Sequence, residues 1–298
     1  MERKLTELID KALSRRSFLA GAGAVAAGTV VAGCSDNGST PVTTTPPTST
    51  YMDADYLNFA LNLEYLEAEF YLRAATGNGL SAADSGNATS KTTGGSMVPG
   101  LTMLQQEYIY EIAQNELDHV RFLRAALGAS AVAAPAIDLT NSFNGLATLA
   151  SLGSSFNPFS NYNNYLIGAF IFEDVGVTAY HGAAPLLTSK TYLTAAAEIH
   201  AVEAYHAASI RSQIVAAGSA LITTANAVQT VRASVGGGME TQLSATGIVA
   251  ADPNTSVGYK RSTDEVLHIV YATAPGAGVK SGGFFPAGLN GNISVTQS

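Results

Sequence analysis

The chain has no tryptophan, one cysteine and charged residues at only 13% of its 298 positions. A single cysteine excludes any internal disulfide framework. Scarce charge beside 47% hydrophobic residues asks for a large, alanine-rich core under a mild surface. Strand-type alternation is sparse through the centre, which leaves helices as the main elements. Positive charge is short as well, with 15 Lys/Arg against 23 Asp/Glu and a net charge of −8. Five of the cations (Arg3, Lys4, Lys11, Arg15, Arg16) fall in the first 34 residues with three acids, so the remainder carries about −10. That balance argues against nucleic acid as a partner.

What is there begins with an address. Ser14-Arg15-Arg16-Ser17-Phe18-Leu19 resembles the twin-arginine export motif, and a weakly apolar Ala/Gly-rich run follows to Gly33. The run is shorter than the roughly 20 strongly apolar residues of a transmembrane helix, and glycines interrupt it. Val31-Ala32-Gly33-Cys34 resembles a bacterial lipobox. The expectation is a signal segment over 1–33, a lipidated Cys34 holding the protein to a membrane, and a disordered Ser/Thr/Pro tether over 34–50. Ser35 after the cysteine, instead of Asp, points to the outer membrane of a Gram-negative cell, and otherwise to the periplasmic side of the envelope. The twin-arginine route carries folded proteins, which suits a metal loaded before export.

Apolar spacing then predicts four helices. Leu57, Leu61, Glu64, Ala68, Tyr71 and Ala75 share one face of a helix over 53–76, with Asp53 or Asp55 near its start as a cap. Gly77 and Gly79 end it. A Gly/Ser/Thr-rich loop to about Pro99 reads as a surface excursion. The second helix is expected over 101–127, the third over 162–182 and the fourth over 188–217. A short turn joins the last two, so they should be antiparallel neighbours, whereas the linker 129–161, with a short helix near 142–151, is long enough to cross a bundle. Beyond 218 a helix near 225–234, a capping box at Ser262 and Glu265, and the loop Gly282-Gly283-Phe284-Phe285-Pro286 form an extension whose aromatics need the bundle to cover them. The domain reading is therefore a bundle over 51–218 and an extension over 219–298.

Chemistry concentrates on these helices. Glu116 and His119, and again Glu203 and His206, sit three residues apart and so share a helical face one turn apart. Chance gives about 0.2 such pairs for 13 Glu and five His in this length, and the chain has three. The third, Glu265 and His268, lacks partner glutamates and reads as structural. The other two helices each supply one glutamate followed seven residues later by a tyrosine: Glu64 with Tyr71, and Glu173 with Tyr180. Two single glutamates and two Glu-x-x-His pairs form the ligand set of di-iron and di-manganese carboxylate bundles. Four carboxylates balance two divalent ions, while without metal their burial would be costly. Tyr71 and Tyr180 lie where hydroxyls reach ligands or bound oxygen species. Glu67, one turn from Glu64, remains an alternative ligand. Glu69, Glu107, Glu111 and Glu198 point off the shared faces, and His181 and His200 only flank them.

The segments from Leu57 to Tyr71 and from Phe172 to Tyr180, with the Gly-Gly-Phe-Phe-Pro tail, resemble the ferritin-like family that includes the plant desiccation-related proteins and their bacterial relatives. The likeness runs from about residue 53 to the end. It implies an all-α, ferritin-like four-helix bundle with a di-metal site on Glu64, Glu116, His119, Glu173, Glu203 and His206, without assigning a reaction. The expected function is an extracytoplasmic protein binding two iron or manganese ions and reacting with O2 or peroxide. The contrasting expectation is a stress or envelope protein with a structural metal, working through the loops 77–99 and 129–161. The tether, long loops and C-terminal extension would obstruct a storage shell.

Overall fold

Four long helices carry the apolar spacing into space. The computed structural model describes residues 51–86 and 91–298, and the expected signal segment, tether and Cys34 lie outside the described residues. Helix α1 spans Asp53–Thr76 and stops at Gly77, whose φ of 80° is the left-handed cap that a glycine adopts without steric cost. Met52 holds the N-cap position of α1. Of the two aspartates, Asp55 caps the helix from its third position, as part of a capping box. Asp55 accepts from the Met52 N–H at 2.8 Å, and Asp53 accepts from the N–H groups of Thr188 and Ser189 at 2.9 and 2.7 Å.

The rest of the first pair is α2 (Ala82–Ser85) and α3 (Met103–Leu127), which opens on a Thr102/Gln105 capping box. The crossover holds α4 (Asn141–Leu149), and the second pair is α5 (Tyr162–Ala183) and α6 (Lys190–Ala217), joined by a tight turn at Ala184–Leu186. Side chains of Asn161 and Ser189 cap α5 and α6 by accepting N–H bonds from Asn164 and Tyr192. Helix α1 lies along α3, α5 lies along α6, and α1 meets α5 across the middle, whereas α3 and α6 make little direct contact. The protein is an all-α four-helix bundle with one long crossover.

The loop after α1 runs over the surface as expected, and it is pinned there to the crossover. Thr92–Thr93 (β1) pairs in parallel with Ile137–Asp138 (β2) of the crossover, and the buried Val98 donates its N–H to Ala74 at 3.0 Å. Backbone pairing between two irregular segments has no periodic signature, so composition alone does not show it.

Beyond the bundle, α7 (Ser219–Val235) begins six residues earlier than expected, and α8 (Thr263–Val270) opens on the predicted Ser262/Glu265 capping box. Phe284 of the tail packs edge-on against Phe143 and Phe172, with centroids 5.2 and 5.0 Å away, so the extension does roof the bundle. A buried ionic network fastens it. Asp174 Oδ2 accepts from Arg211 and Arg232 at 2.7 Å each, Arg232 continues to Glu240 at 2.5 Å, and Glu240 accepts from Arg261 at 2.7 Å. The guanidinium groups also donate to the carbonyls of Thr241, Phe170 and Gly236. Such saturation is what makes three buried arginines tolerable.

Candidate metal centre

The faces predicted from spacing converge in the middle of the bundle. Glu64, Glu116, Glu173 and Glu203 are all 0% exposed, and His119 and His206 are buried beside them. One ligand atom each from Glu64, Glu116, His119 and Glu203 falls within 4.8 Å of the others, and so does one each from Glu116, Glu173, Glu203 and His206. Two overlapping clusters result. Glu116 and Glu203, one from each Glu-x-x-His pair, belong to both, as bridging carboxylates do in a two-metal site.

The imidazoles turn their Nδ1 atoms inward. His119 Nδ1 stands 3.2 Å from Glu64 Oε2, 3.2 Å from Glu116 Oε2 and 3.5 Å from Glu203 Oε1. His206 Nδ1 stands 2.9 Å from Glu116 Oε1 and 3.5 Å from Glu173 Oε2. Nevertheless Glu116 Oε1, Glu173 Oε2, both Glu203 oxygens and His206 Nδ1 are buried without a properly directed hydrogen bond. The 2.9 Å approach of His206 to Glu116 is therefore a close ionic contact whose atoms are not aimed at each other. Orphaned buried oxygens carry a heavy desolvation cost that coordination would relieve. Hard carboxylates mixed with imidazole suit iron or manganese, so the donor set fits such ions.

The electrostatics are those of crowded acids around two cations. Burial lifts the Glu64 carboxyl to about 7 against the opposing pull of His119. Glu203 and Glu173 are likewise raised by burial, with Glu116 adding repulsion at both. Burial opposes ionisation of Glu116 too, but His119 and His206 outweigh it and hold Glu116 well below the usual carboxylate range. At His206, burial disfavours the imidazolium, yet Glu173 and Glu116 push it up to about 11. The surrounding carboxylates thus favour the protonated form of His119 as well as of His206.

Both tyrosines reach the ligands, and they do so crosswise. Tyr71, on the helix of Glu64, donates to Glu173 Oε1 at 2.5 Å, and Tyr180, on the helix of Glu173, donates to Glu64 Oε1. Glu64 belongs to the first cluster, whereas Glu67 is buried but joins neither. Burial and the nearby Glu203 raise its carboxyl well above the usual range. Glu69 is taken by Arg73 at 2.7 Å, and Glu107, Glu111 and Glu198 are exposed. His181 bonds to the Tyr259 carbonyl at 2.9 Å and packs 5.8 Å from His200, away from both clusters. His268 approaches the Ser298 carbonyl at 2.9 Å while Glu265 caps α8. Sequence spacing missed Asn115, whose Oδ1 lies 3.0 Å from His206 Nε2. Its position, one turn before His119, was the available signal.

A fold and a ligand set of this kind define a ferritin-like protein. The Ferritin-like domain family model matches residues 52–216, and the chain belongs to that family. Among curated relatives it is 28% identical over 272 residues to the ferritin-like catalase Nec2 of Nesocodon mauritianus, a match covering 81% of this chain and 85% of that protein. It is also 30% identical over 165 residues to the desiccation-related protein PCC13-62 of Craterostigma plantagineum, covering 54% of this chain and 52% of that one.

Proposed function

We propose that this chain binds two iron or manganese ions between its helix pairs and uses them to decompose hydrogen peroxide at the cell envelope. The observation that carries the reading is the pair of overlapping carboxylate–imidazole clusters with orphaned oxygens, fully buried and sharing Glu116 and Glu203. The similarity to a protein named a catalase, along most of both chains, supports peroxide as the substrate over other oxidants. Ions held by Glu64, Glu116, His119, Glu173, Glu203 and His206 would supply the two-electron redox chemistry by which one peroxide is oxidised to dioxygen and a second reduced to water.

The chain's own residues frame that chemistry. Tyr71 and Tyr180 each fix one oxygen of a terminal glutamate, leaving Glu173 Oε2 and Glu64 Oε2 for coordination. Glu67, whose carboxyl burial and Glu203 raise well above the usual range, stands in the wall of the centre as a group suited to holding a proton. The apolar rings of Phe70, Tyr165 and Phe172 behind Tyr71 keep that side dry. The twin-arginine motif and Cys34 support an exported, lipid-anchored location. A second reading, a structural metal in a stress protein, draws on the match to the desiccation-related protein.

One experiment separates these readings. Protein purified after native export is analysed for iron and manganese and then given hydrogen peroxide, with oxygen evolution followed. Two ions per chain and oxygen release, both abolished in Glu116→Ala/His119→Ala, are expected. Ions without oxygen release would leave the structural reading, and a metal-free wild type would remove both.

A further inference from the structure

A buried centre needs a way in. Helices α1 and α5 close one side of it, whereas α3 and α6 stand apart on the other. Between α3 and α6 lies a cleft of about 350 Å³ lined by Tyr108, Glu111, Asn115, Tyr205, His206 and Ser209 among others. Among the five main cavities of the described residues, this one has a candidate ligand, His206, in its wall. Its floor is a single bridge. His206 Nε2–H donates to Asn115 Oδ1 at 3.0 Å, which joins α6 to α3 and leaves Nδ1 facing the carboxylates. The lining carries one carboxylate, Glu111, and no lysine or arginine.

We propose that this cleft is the access port of the metal centre, admitting divalent cations and small neutral molecules and turning anions away. The inference rests on the metal reading above. Glu111 at the rim, with no lysine or arginine in the lining, favours cations and opposes anions on the same path. Asn115 is a positioning residue at the threshold: by accepting from Nε2 it fixes the tautomer and ring orientation that present Nδ1 inward. Behind α6, a cavity of about 180 Å³ lined by Asp174, Ala204, Ala208 and Arg211 lacks every candidate ligand. It serves as the matched control.

The test is the rate at which metal-free protein takes up Mn2+, read by elemental analysis at timed intervals, with final content and Tm recorded. Ser209→Trp, which fills the cleft, should reach the wild-type content much more slowly. Ala208→Trp, which fills the cavity on the other side of α6, should load at the wild-type rate. Equal rates in all three proteins, or equal slowing by both tryptophans, would overturn the port. If Ser209→Trp does not fold, Glu111→Arg decides, because it alters only an exposed side chain. It should slow uptake by about tenfold at low ionic strength, with the difference shrinking in salt. An unchanged low-salt rate overturns the proposal. A wild type that never binds Mn2+ or iron defeats the metal reading itself, a result distinct from normal binding at rates indifferent to the cleft.

Discussion

Glu67 and Gly176 occupy matching positions, three residues after Glu64 and Glu173, and their difference breaks the twofold likeness of the centre. A Cβ on Gly176 would overlap Glu203 Oε2 and crowd Glu67. Gly176→Ala should therefore displace a shared ligand and weaken metal binding by about 10- to 100-fold while the helix itself is preserved; competition with a chelator measures it. Tyr71→Phe should weaken binding in the same direction and to a smaller extent, by freeing Glu173 Oε1. The titrating groups give a pH signature. Glu64 is raised from its ordinary 4.5 to about 7, so its contribution to the stability of metal-free protein is complete below pH 4.5 and lost as pH rises through 7. His206, raised from 6.5 to about 11, acts in the same sense over the higher window. The Tm of metal-free protein should thus fall from pH 5 to pH 8, whereas the metal-loaded protein should hold its Tm, because ions replace the protons. A metal-free Tm that rises over this range would contradict the assigned centre. At this scale the sequence was informative wherever a repeat existed: both Glu-x-x-His pairs and both Glu-to-Tyr spacings could be read. It gave only a positional hint of Asn115 and none of the Glu67/Gly176 difference, which matter through contacts between helices.

Among elements, α5 has the most unusual surroundings. It carries Glu173 toward the centre, and the next residue, Asp174, toward the buried Arg211 of α6 and Arg232 of α7, with Arg261 before α8 joined to them through Glu240. Asp174→Ala would take away the carboxylate that pairs with Arg211 and one of the two that pair with Arg232 in a low-dielectric interior, and should cost about 3–5 kcal/mol. Urea unfolding measures that cost, and a loss below 1 kcal/mol would show that the network is dispensable. Helix extents were legible because apolar spacing and caps are local: α1 begins and ends where 53–76 was expected, and α3, α5 and α6 shift by at most two residues. The arginine network was not legible. Arg211, Arg232 and Arg261 look like ordinary surface charges until carbonyls from distant loops are brought to them. The early start of α7 was missed for a related reason. Its Ser/Thr-rich first turns have a weak apolar pattern, and it is packing on α5 and α6 that keeps them helical.

For the whole molecule, the long crossover lets two similar helix hairpins face each other, and the crosswise tyrosines follow from that arrangement. Tyr71 meets Glu173 while Tyr180 meets Glu64, so residue numbers rise along α1 as they fall along α5, and the two helices run in opposite directions. The two bonds are anchored seven residues apart on each helix, about 10 Å along the axis. A slide of α1 past α5 by a single turn would carry each hydroxyl some 5 Å along that axis and part both bonds together. The pair therefore works as a vernier: two marks on one scale meet two marks on the other at a single setting. Alignment of the halves is gauged before any ion arrives, and a misfolded bundle would show itself by two phenols without acceptors.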